Sequence, residues 1–71
     1  MRTWEDEANE CAIEAAAARL RAIFARSRRD RRVNTEMAAR WRRLERAYRT
    51  AIKVSGYVEW RTQRLDLDDV A

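Results

Sequence analysis

Apolar residues recur every three or four positions through most of this chain, the interval that lines side chains along one face of an α-helix. Between residues 4 and 25 two such stripes coexist. One carries large side chains, Ile13, Leu20, Ile23 and Phe24, with Ala12, Ala16 and Ala17 between them. The other is Trp4, Ala8, Cys11, Ala15, Ala18, Ala22 and Ala25, stepped 4-3-4-3-4-3 and made almost wholly of small residues. Small side chains let a neighbouring backbone come close. A helix apolar on two sides is usually buried on two sides, so this second stripe is a candidate helix–helix interface. The competing explanation is that the alanines only supply helix propensity on a solvated face.

A third stripe follows, Met37, Trp41, Leu44, Tyr48, Ala51, Ser55, Val58, Thr62 and Leu65, again alternating steps of four and three. It keeps one face of a second helix toward a partner helix. Two helices of this kind, joined by a short turn, predict an all-α antiparallel hairpin that associates with other helices as an oligomer. One long continuous helix is the alternative.

The boundaries come from capping chemistry. Thr3 suits a helix N-cap, with Asp6 three residues on as an acidic variant of the capping box. Glu5, Asp6 and Glu7 fall in the first turn, where carboxylates suit the helix dipole. Helix 1 is expected over about 4–28. Asn34 tolerates the left-handed conformation that ends helices and Thr35 can cap the next one, which places the turn at about 29–35 and helix 2 at about 36–63. Gly56 is either a helix glycine or a C-cap, and in the second case a short third helix follows it. A helix-turn-helix reading would use the same break at Val54-Ser55-Gly56, but the 4-3 stripe runs straight through those residues. The acidic stretch 66–71 is expected to fray.

Composition narrows the function. The 71 residues make one domain at most, of a size that is marginal without help. The help cannot be an internal disulfide, because Cys11 is the only cysteine. Histidine is absent, so no Cys/His metal set exists and the commonest general base is missing. One glycine cannot build a phosphate loop. The expectation is a protein that is not an enzyme, with no cofactor and no small-molecule ligand. No stretch is long and apolar enough for a membrane. With no secretory signal in the acidic N-terminal residues and one unpaired thiol, the expected location is the cytoplasm, or an assembly built there.

Charge is unevenly spread. Residues 1–18 carry a net −4, residues 19–53 a net +10 and residues 54–71 a net −2. Fifteen arginines accompany a single lysine. Arg28, Arg29, Arg31 and Arg32 make a candidate basic turn. Arg42, Arg46, Arg49 and Lys53 form a stripe on one side of helix 2, and like charges at that spacing favour an anionic partner. Tyr57 and Trp60 fall off the main apolar stripe and are candidate exposed aromatics, a type enriched at interfaces. Three functions fit these features. First is a protein–protein interaction module, an adaptor, assembly factor or inhibitor that occupies a surface and self-associates. Second is a nucleic-acid-binding protein that uses the arginine face. Third is a structural piece of a large assembly.

Overall fold

The computed structural model describes the backbone of residues 1–70 and the side chains of residues 1–56. It contains two helices, α1 (Trp4–Ile23) and α2 (Arg28–Val70), packed side by side. Thr3 caps α1. Its hydroxyl accepts the Asp6 N–H at 3.1 Å, and the Asp6 carboxylate accepts the Thr3 N–H at 3.0 Å. This is the reciprocal capping box expected from the sequence.

The turn lies earlier than its predicted place. α1 ends at Ile23, where the Phe24 N–H donates to the Leu20 carbonyl at 3.0 Å. α2 starts directly after Ser27, whose hydroxyl accepts the Asp30 N–H at 3.1 Å. The Ser27 and Asp30 spacing repeats that of Thr3 and Asp6. Asn34 and Thr35, read as turn residues, sit inside α2 and bond backward along it. Asn34 Nδ2 donates to the Asp30 carbonyl at 2.9 Å, and Thr35 Oγ1 to the Arg31 carbonyl at 2.7 Å. Arg28, Arg29, Arg31 and Arg32 therefore form the first turns of α2 rather than a loop.

A short third helix does not form. α2 runs without a break through Val54, Ser55 and Gly56 to Val70, which also removes the helix-turn-helix geometry and takes the expected tail into the helix. Gly56 does not have a positive φ, and a Cβ placed there meets nothing within 4 Å. Nothing at this position calls for glycine's conformational freedom.

The helices run antiparallel. Arg21 Nε donates to Asn34 Oδ1 at 3.3 Å, and Arg49 bonds Asn9 at 3.5 Å, so rising numbers on α1 meet falling numbers on α2. The 20 residues of α1 cover only the first part of the 43 in α2. Glu5 lies beside Lys53, and the seventeen residues of α2 beyond Lys53 extend about 25 Å at helical rise. The molecule measures 67 × 21 × 13 Å between Cα atoms.

The seam is made of small residues. Among the described residues the buried set is Ala8, Cys11, Ala15, Ala18, Ala22 and Ala38. On α2 the seam follows Asn34, Ala38, Trp41, Glu45 and Tyr48, a step aside from the predicted stripe. Met37 and Leu44 sit at the rim, exposed, while Ala38 and Glu45 turn inward. The reason is steric. At Ala38 a wall of alanines brings the backbones close, and the gap admits another alanine more readily than a methionine, while Glu45 at the seam edge pairs with Arg49.

Candidate helix-docking surface

The small-residue stripe of α1 lies against α2 of the same chain. Ala8, Cys11, Ala15, Ala18 and Ala22 are buried there, Ala25 is half-buried past the end of α1, and Trp4 at the head stays 52% exposed. Burial raises the pKa of the Cys11 thiol, and the nearby Glu7, Glu10 and Glu45 carboxylates raise it further. The sulfur is thus a neutral packing group.

With that stripe occupied, the large side chains of α1 point the other way. Ile13 is 67% exposed, Leu20 56%, Ile23 63% and Phe24 78%. At 3.6 residues per turn they lie on the side of α1 roughly opposite Ala15 and Ala18. Exposed Ala16 lies among them. Single exposed apolar residues are ordinary; these four form one set along a single helix face. A smaller apolar groove on α2 is lined by Met37, Arg40, Trp41 and Leu44.

The surface is flanked by charge of both signs. Its N-terminal end carries Glu5, Asp6, Glu7, Glu10 and Glu14, with Arg2 clasping Glu7 and Glu10. Its turn end carries Arg21, Arg26, Arg28 and Arg29. Basic residues in the first turn of α2 oppose the helix dipole, and Asp30 is the single acid there.

The arginine stripe of α2 lies along one edge of the seam. Arg42 lines a groove with Arg19 of α1, over a floor of Ala22, Ala38 and Ala39. Arg42 and Arg46 flank Glu45, whose carboxylate also pairs with Arg49 at 2.9 Å. Lys53 and Arg49 line a further recess with Glu5, Asn9 and Ile52. On α2 itself Glu45 lies against the stripe, one helical turn before Arg49, and the packing of the two helices brings Glu5 beside Arg49 and Lys53. Sequence reading missed Arg19 as a member of this edge, since only the pairing of the two helices places it beside Arg42. The side chains of Tyr57 and Trp60 lie outside the described residues.

Among the described residues no cluster of acids, cysteines or histidines could hold a metal ion, and no helix is long and apolar enough to cross a membrane. The chain matches no protein-family model, no curated protein and no solved structure. Its function therefore rests on the site itself.

Proposed function

We propose that this hairpin is a non-enzymatic protein–protein interaction module that works by docking the outer face of α1 onto another helix. One observation carries the reading. Among the described residues the buried set is five alanines and a cysteine, while Ile13, Leu20, Ile23 and Phe24 stand in solvent. Each such large side chain contributes about 1.5–3 kcal/mol once buried, and here that gain is left for a partner. Shape agrees with this. The chain exposes 6421 Å², against about 4,700 Å² for a compact protein of its mass. Its radius of gyration is 18.7 Å, where a compact chain of this length would have about 11 Å. An adaptor, an assembly factor, an inhibitor and a structural piece of a larger assembly would all use such a face.

The test is a photo-crosslinking amino acid placed at Leu20, with Arg32 as the control position, in living cells. Protein adducts from position 20 and few from position 32 are the expected result. Equal, background-level yields from both positions would overturn the reading.

A second reading is favoured by the edge that joins Arg19 and Arg42. Bases from both helices converge there, and the row continues through Arg46 and Lys53, about 16 Å from Arg42 at helical rise. That is the footprint of a phosphate backbone, whose binding falls steeply with salt. Neutralising Arg19, Arg42 and Arg46 together should abolish binding to a labelled duplex and flatten its salt dependence. Binding that survives the triple change unaltered would exclude this edge as a nucleic-acid interface.

A further inference from the structure

Resting on the interaction-module reading, we infer that the occupant of the α1 outer face is a second copy of this chain, with the two α1 helices antiparallel about a two-fold axis. Charge and side-chain size on the page both select this occupant and this direction.

The apolar face of α1 runs from Ile13 to Phe24, so its midpoint lies near Ala18. Two α1 helices crossing antiparallel at that level bring Ile13 of each opposite Ile23 of the other. The same register sets Leu20 over Ala16. Large residues meet small ones along the centre, which is how facing helices interdigitate. A parallel pairing would place Leu20 on Leu20 and Phe24 on Phe24, with nothing small between them.

The charges point the same way. In the antiparallel register the acidic start of each α1 lies by the basic turn of the other. Glu10 approaches Arg26, and Glu14 lies across from Arg21 on the same flank of the apolar face. The excess positive charge at the start of α2, unfavourable to its own dipole, gains anionic neighbours. A parallel pairing would set acid on acid and base on base, which costs stability. α1 would then be covered on both sides, by α2 over its alanines and by the second α1 over its large residues. Two hairpins would lie as four helices in a row.

A self-associating face must satisfy a pairing rule, and that rule supplies the test. Light scattering after size exclusion should give twice the 8.5 kDa mass of one chain. Leu20→Glu, which places two carboxylates in the centre, should weaken the dimer by about a hundredfold or more. Glu14→Arg alone and Arg21→Glu alone each create two like-charge pairs and should weaken it about tenfold. An equimolar mixture of those two variants restores opposite charges at both pairs and should dimerise as the wild type does. Failure of the mixture to recover would overturn the antiparallel register. A wild-type chain that scatters as a monomer at high concentration would overturn the second copy as occupant. The crosslinker at position 20 then separates the two levels of inference. An adduct of doubled chain mass supports the second copy. An adduct with a different protein removes the second copy and keeps the module. Absence of any adduct removes both.

Discussion

Arg21 and Asn34 meet across the turn, with Arg21 Nε donating to Asn34 Oδ1 at 3.3 Å while Asn34 Nδ2 holds the Asp30 carbonyl at 2.9 Å. One amide thus ties the last turn of α1 to the second turn of α2. Replacing Asn34 by alanine alone would mix this loss with a gain in helix propensity, so a cycle of Arg21→Ala, Asn34→Ala and the double variant isolates it. The coupling should be about 0.5–1 kcal/mol by urea denaturation at one fixed protein concentration. Additive single effects would show that the contact does not hold the turn.

Ala18 is fully buried in the seam, where the backbones stand close. Ala18→Leu should destabilise the hairpin by about 1–3 kcal/mol through overpacking, despite being more apolar and an adequate helix former. Ala47→Leu, on the exposed side of α2, should be neutral or stabilising. A denaturant midpoint unchanged by Ala18→Leu would contradict the close seam.

Gly56 sits inside α2 with an ordinary φ and open space at its Cβ position. Gly56→Ala should raise helicity and stabilise the chain by about 0.5–1 kcal/mol. A loss of helicity on circular dichroism would mean that the glycine ends the helix instead.

Acid should loosen the start of α1. The Thr3 N–H holds the Asp6 carboxyl below its ordinary pKa, with smaller help from the Thr3 hydroxyl and from Arg2. Because the folded-state value is lowered, the contribution is complete above the unfolded-state pKa of about 3.9 and disappears as pH falls through the folded one. Asp6→Ala, which removes the titrating carboxyl and leaves the Thr3 hydroxyl in place, should lessen this acid sensitivity. Parallel pH profiles of the two proteins between pH 2 and 6, followed by helicity, make the check. Identical slopes would dismiss the capping box as their source.

The sequence shows the hairpin and its direction readily, because the 4-3 stripes and the Thr3–Asp6 box are local signals. It also marks Ala8, Cys11, Ala15, Ala18 and Ala22 as a candidate helix–helix interface, since they stand at regular intervals, but not whether that interface lies within the hairpin or between copies. The turn is harder. Ser27 and Asp30 carry the same capping spacing as Thr3 and Asp6, but they lie within an arginine run that reads as a loop, and Asn34-Thr35 offers a competing break. Which of the two α1 faces meets α2 is not a local property. Leu20 and Phe24 look more core-like than any alanine, but the chain closes on the small side, where the backbones can approach. The half-step on α2 from Met37 and Leu44 to Ala38 and Glu45 follows from that choice, and periodicity alone does not disclose it. The meeting of Arg19 with Arg42 likewise depends on how the two helices align.

The four residues between α1 and α2 have one more consequence, in time rather than in space. The pair nearest the turn, Arg21 and Asn34, is separated by 13 residues, and closing a short loop takes well under a microsecond. Structures dominated by such local pairings form within microseconds to milliseconds. A partner that covers Leu20 and Phe24, as proposed, would bind the closed hairpin alone, so its concentration would set how much of the chain is folded.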